Sequence, residues 1–151
     1  MVQLLALSLI EYYFTVWGST NLSHLNKVQK LQNFAARVAL GTVSKYDHIS
    51  PHLAQLEWLK LKMKYKYDIC IFVFKILIGL LPNWLYDFEA VDGITRQAGN
   101  LTVGRARTLS GSRELSVKGP QLWNSLPAAL RDTASLLTFK TKLKKHLLDE
   151  L

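Results

Sequence analysis

The stretch from Trp58 to Leu81, WLKLKMKYKYDICIFVFKILIGLL, is the longest apolar-rich run in this chain, and 151 residues offer one core for it to enter. Read as a helix, Leu59, Met63, Tyr67, Cys70, Phe74, Leu77 and Leu81 recur at three- and four-residue steps and make one buried stripe. From residue 69 onward the run is apolar nearly all round, as a central core helix should be. Two rivals compete. Lys60, Lys62, Lys64 and Lys66 alternate with Leu59, Leu61, Met63, Tyr65 and Tyr67, which is a strand period. Against a strand, Leu, Lys and Met favour helix, no β-branched residue occurs before Ile69, and Lys64 precedes Asp68 by four. A membrane span over Ile69–Leu81 is too short for a bilayer and contains Lys75. The expectation is therefore a mainly α chain: a small helical domain around a central helix near 59–81.

The remaining elements follow from caps and periodicity. Helix one is expected from Val2 to Val16 and helix two from Leu22 to Leu40. The second would bury Leu25, Val28, Leu31, Phe34, Ala35 and Val38 and stop at Gly41. Ser50-Pro51 signals a short helix with Leu53 and Leu56, Ser50 acting as its cap. Gly79 and Pro82 end the central helix, and Pro82-Asn83-Trp84-Leu85 starts a further turn. Composition changes at Asp87. Phe88 to Asn100 reads as a loop, and Leu101-Thr102-Val103 with Glu114-Leu115-Ser116-Val117 as a short β-hairpin near 101–117, broken by Gly119-Pro120. Short helical turns follow at Gln121–Leu126 and Ala128–Asp132. Ser135 caps a basic C-terminal helix, Leu136–Leu148, with Leu136, Phe139, Leu143 and Leu147 inward. The whole reads as one domain, 1–151, in three parts: helical 1–86, loop and hairpin 87–120, and C-terminal helices 121–151.

Charge narrows the partners. The formal net charge is +8, and residues 101–151 hold nine Lys and Arg against four Asp and Glu. Such a surplus favours an anionic partner, RNA or DNA first and an acidic membrane surface second. Arg105, Arg107, Arg113 and Lys118 flank the expected hairpin. Lys140, Lys142, Lys144 and Lys145 surround the last helix and could grip phosphates without reading sequence. The plainer alternative is a solvated face of a terminal helix packed through its apolar stripe.

Catalytic patterns are sparse. His48 and His52 have Pro51 between them and no third ligand in sight, so solvated histidines are the simpler reading. Asp87, Glu89 and Asp92 read as an acidic loop rather than a magnesium site. No Gly-rich phosphate loop precedes Lys-Ser or Lys-Thr, and no serine sits in a nucleophile elbow. No cofactor is called for. Cys70 is the lone cysteine, which excludes internal disulfides and fits a reducing compartment. MVQLLALSLI lacks a basic n-region, and a cytoplasmic or nuclear setting is favoured over secretion.

The C-terminal third carries a resemblance. Gln121-Leu122-Trp123-Asn124-Ser125-Leu126-Pro127, Leu130-Arg131, Ser135 and Phe139-Lys140-Thr141-Lys142-Leu143-Lys144 resemble the closing segment of the polymerase polyprotein of non-LTR (LINE-type, jockey-like) retrotransposons. That family typically ends in WN-x-LP, a spacer and F-K-x-x-L-K. Leu9-Ile10-Glu11-Tyr12 with Val16-Trp17 resembles its L-x-Y-x3-VW segment. Gln29, Gln32-Asn33, Ala36-Arg37 and Gly41 resemble its Q-x2-Q-N-x-A-x-R helix. Leu56-Glu57-Trp58-Leu59, Pro82-Asn83-Trp84-Leu85 and Arg96 fit in order. The chain departs from a whole reverse transcriptase in lacking Tyr-x-Asp-Asp, endonuclease residues, a zinc knuckle and a ribonuclease H pattern. The resemblance implies a non-catalytic region downstream of the palm, with the catalytic aspartates and magnesium belonging to that palm. It implies packing beside the palm and help in holding template, primer or element RNA. Two other outcomes are open. One is a truncated remnant that self-associates through apolar surface meant for the palm, the other a host-recruited interaction module.

Overall fold

The structure, a computed structural model, describes residues 8, 14–19, 22–41, 44, 46–82, 88–89 and 100–150. Its described α-helices include α1 (Phe14–Trp17), α2 (Leu22–Leu40), α3 (Ser50–Gln55), α4 (Leu61–Leu77), α5 (Leu115–Asn124), α6 (Ala128–Arg131) and α7 (Leu136–Asp149), with a 3₁₀ turn at Gly111–Arg113. The mainly α expectation holds. The chain divides into two compact units, one of residues 1–65 with 145–151 and one of residues 66–144. Most of the expected first helix, the turn at Asn83–Leu85 and the loop residues 90–99 lie outside the described residues.

In the first unit, Ala35 and Ala36 of α2 pack with Leu53 and Trp58, and Ile49 and Leu56 close the cluster. Small residues on α2 let the short α3 approach. The end of α3 folds Trp58 back onto it. Trp58 N donates to Leu53 O at 2.8 Å and Glu57 N to Ala54 O at 2.9 Å, with Glu57 at φ 55°. This is a Schellman closure with a glutamate in the left-handed position that glycine normally takes. Gly41 and Gly79 fill that position after α2 and α4, at φ 69° and 73°.

Gly18 ends α1, its N–H donating to Phe14 O at 2.8 Å. The Tyr65 ring stands edge-on to Phe14 with centroids 6.1 Å apart. A methyl on Gly18 would lie 2.5 Å from Phe14 O and 2.6 Å from Tyr65 Cδ2. Backbone oxygen cannot rotate away, so Gly18→Ala is expected to destabilise the chain by about 2–3 kcal/mol, as overpacked cores do. A lowered urea midpoint at unchanged slope is the readout.

In the second unit, α4 is buried on several sides through Ile69, Cys70, Ile71, Val73, Phe74 and Ile76. Its bounds, Leu61–Leu77, are tighter than 59–81. Its inward face also differs from the expected stripe: Leu61, Tyr65 and Ile69 are buried while Leu77 is exposed. A helix apolar all round gives periodicity little to choose between. Phe74 stacks on Phe139 of α7, centroids 4.3 Å apart and planes 8° apart. Trp123 of α5 joins both rings at 6.2 Å and 5.7 Å.

The hairpin near 101–117 is corrected. Leu115–Val117 opens helix α5, and the chain continues helical through Gly119-Pro120. Two facts explain this. The Asn124 side-chain amide pairs with both polar groups of the Leu101 backbone. Gly119 serves close packing rather than chain breaking, since a Cβ there would lie 3.2 Å from both Val73 Cγ2 and Phe88 Cζ. Pro120 is held inside the helix at the cost of one backbone hydrogen bond to the Ser116 carbonyl. A second correction concerns α2. Leu31, Phe34 and Val38 are 65%, 67% and 48% exposed, whereas Gln32 is 2% exposed. A third is smaller: Ser50 opens α3 as its first residue, the cap position is Ile49, and no side chain caps the turn.

Candidate nucleic-acid interface

Gln29, Gln32, Arg37, Trp123, Asn124, Arg131 and Phe139 each join one segment of the chain to another. Gln29 Oε1 accepts from Leu61 N at 2.8 Å, and its Nε2 donates to Gln32 Oε1 and Asn33 Oδ1, both at 2.8 Å. Gln32 Nε2 donates to Leu59 O at 2.9 Å. The first N–H groups of a helix lack intrahelical acceptors, and the link before it has no ladder to join. Two glutamines on α2 therefore clamp the start of α4. Arg37 holds the next loop, its Nε donating to Ser44 O at 3.3 Å and its Nη2 to Asp47 O at 3.2 Å.

The WN-x-LP segment works likewise. Trp123 lies in the ring trio. Asn124 Oδ1 accepts from Leu101 N and Asn124 Nδ2 donates to Leu101 O, both at 2.8 Å, as a strand partner would. Leu126 is buried, and Pro127 takes the cap position of α6. Arg131 Nη1 donates to Asn100 Oδ1, fastening the same segment. Phe139 and Leu143 of F-K-x-x-L-K are fully buried. Asn124→Ala leaves both polar groups of buried Leu101 unpaired. A loss of about 2–3 kcal/mol is expected, together with faster hydrogen exchange at the Leu101 amide; an unchanged exchange rate would refute the clamp.

The eight cations fall into two groups by element. Arg105 and Arg107 are exposed on irregular backbone, and Arg113 is exposed at the end of the 3₁₀ turn. Lys118, half-buried on α5, donates to Gln121 Oε1 at 3.4 Å. On α7, Lys140 and Lys144 are half-buried, while Lys142 and Lys145 are exposed. Helical spacing puts Lys140 and Lys144 along one edge of the outward face and Lys142 and Lys145 along the other. Leu137, 75% exposed, sits between the edges. The lysines thus gird the helix rather than converge on a point, an arrangement suited to a long anion. Arg105, Arg107, Arg113, Lys140, Lys142 and Lys145 have no carboxylate partner among the described residues.

Cys70 and Tyr65 are held in their neutral forms by burial. Burial pushes the Cys70 thiol up to about 12, against a smaller downward pull from Lys66. Burial also raises the Tyr65 phenol. Both stay protonated at neutral pH. No group of three or more His, Cys, Asp or Glu among the described residues could hold a metal ion. No described helix is long and apolar enough to cross a membrane. His48 is exposed and His52 half-buried on α3. Sequence reasoning missed the glutamine clamp. Its visible signal was a pair of glutamines three apart, Gln29 and Gln32, on one side of α2. No family model, curated protein or solved structure matches this chain.

Proposed function

We propose that the chain is a non-catalytic piece of a non-LTR retrotransposon reverse transcriptase, from the region downstream of the palm, that binds RNA or DNA without reading sequence. The family part rests on the resemblance described above, and the joint roles of Gln29, Gln32, Trp123, Asn124 and Phe139 are what such a region would need in order to keep its shape. The nucleic-acid part rests on one observation: six lysines and arginines on the 105–113 loop and α7 with no carboxylate partner among the described residues. Unneutralised like charges repel one another, and a phosphate backbone relieves that repulsion while releasing its counterions. Catalytic aspartates and magnesium belong, on this reading, to the palm.

The test is titration of a labelled single-stranded RNA at several salt concentrations. Log affinity should fall against log salt with a slope between about −2 and −4, at about 0.7 per phosphate contacted. Two unrelated sequences should bind alike. Absent binding, or binding indifferent to salt, refutes the reading. A second reading, an interaction module, is favoured by the exposed Leu31, Phe34 and Val38 on α2. Light scattering tests the truncated-remnant outcome instead, because an unpaired apolar face drives concentration-dependent self-association.

A further inference from the structure

We infer that Ser110 is the acceptor of a phosphoryl group from an arginine-directed Ser/Thr protein kinase, and that the phosphate cancels the positive charge of the loop that bears it. Residues 102–110 are exposed throughout. Between residues 105 and 113 the loop offers three hydroxyls, and two are committed. Thr108 Oγ1 accepts from Gly111 N at 3.0 Å, and Ser112 Oγ donates to Leu109 O at 2.8 Å. The Ser110 hydroxyl makes no hydrogen bond among the described residues. Arg105 and Arg107 stand five and three residues before it. Kinases that select arginine read a guanidinium at these two offsets with pockets of carboxylates, whose paired oxygens match its planar fork. Thr108 has an arginine three before it but none five before it.

Access requires the turn to open. Ser112 N to Thr108 O (3.0 Å), Arg113 N to Ser110 O (3.0 Å) and Glu114 N to Gly111 O (3.1 Å) hold it, with no fully buried side chain in the turn. Such turns open locally at little cost. In the transfer, Ser110 Oγ forms a bond to the γ-phosphorus of magnesium-bound ATP as the bond to the bridging β–γ oxygen breaks. The hydroxyl proton passes to the kinase's aspartate and ADP leaves. Between residues 105 and 114 the loop has Arg105, Arg107 and Arg113 against Glu114, a formal +2. A phosphate of nearly −2 brings that to zero. The effect on nucleic acid rests on the function proposed above; the acceptor assignment does not.

The full chain is incubated with a purified arginine-directed kinase and magnesium-ATP, and the sites are read by mass spectrometry. One phosphate on Ser110 is expected, lost in Ser110→Ala and in Arg105→Ala with Arg107→Ala. Phosphate on Thr108 or Ser112 in its place, or undiminished labelling without the arginines, overturns the assignment. The phosphoprotein should bind single-stranded RNA roughly ten- to thirtyfold more weakly at 0.1 M salt, its salt slope shallower by about 1.4. Equal affinity with and without phosphate overturns the switch. No RNA binding in either state overturns the proposed function and the switch with it, and leaves the acceptor standing on the mass spectrum.

Discussion

Phe139→Ala is expected to cost about 4 kcal/mol, within the range for deleting a buried aromatic ring. The ring is fully buried and stacks face to face on Phe74 at 4.3 Å. It also meets Trp123 at 5.7 Å, so one substitution breaks contacts that tie α7 to both α4 and α5. Aromatic pairs add about 0.5–1.5 kcal/mol beyond the area they bury. Domains of this size are stable by only about 5–15 kcal/mol, so the variant should approach the unfolding threshold. Urea unfolding followed by tryptophan fluorescence measures this directly, since Trp123 reports from inside the trio. Phe139→Leu keeps most of the volume and should cost clearly less. Leu137→Ala, on the exposed side of the same helix, should stay within about 0.5 kcal/mol. A Phe139→Ala loss no larger than that of Leu137→Ala would mean the rings do not stack as described.

The contrast between α7 and α2 explains what a sequence reader could see. On α7 the apolar residues Phe139, Leu143 and Leu147 form one stripe with lysines opposite, and all three are fully buried. On α2 the same logic chose Leu31, Phe34 and Val38, and the helix turned another face inward. Two demands that hydropathy does not encode decided this. The Leu59 carbonyl and Leu61 amide needed partners, and Gln32 and Gln29 supply them. The approach of Leu53 and Trp58 needed small residues, and Ala35 and Ala36 supply those. The misplaced hairpin has the same origin. Leu101-Thr102-Val103 reads as a strand by its residue types, whereas both polar groups of the Leu101 backbone pair with the Asn124 amide. As for the cations, their positions were legible and their partners were not. Lys118 proves to be engaged with Gln121, while Arg105, Arg107 and Arg113 stand exposed on one loop.

Replacing Lys140, Lys142, Lys144 and Lys145 together by Glu should produce the largest change of all in nucleic-acid affinity. Each phosphate contact contributes about 0.7 to the exponent of the salt dependence on a single strand. Four lost contacts amount to a few hundredfold at 0.1 M salt, and the four new negative charges add repulsion on top. The buried stripe is untouched, so the helix itself has reason to persist. Glutamates near its C-terminal end oppose the macrodipole at about 0.3–1 kcal/mol each, a cost to be measured by thermal unfolding. The matching four-Gln variant separates lost attraction from added repulsion: it should retain stability, weaken binding less and flatten the salt slope. Lys142→Gln with Lys145→Gln tests the more exposed edge against Lys140→Gln with Lys144→Gln on the half-buried one. If α7 girds a long anion, the two pairs should each remove part of the slope. If one pair removes all of it, the contact is a single edge; if the four-Glu variant binds as tightly as the parent, α7 takes no part and the loop arginines must account for whatever binding is seen.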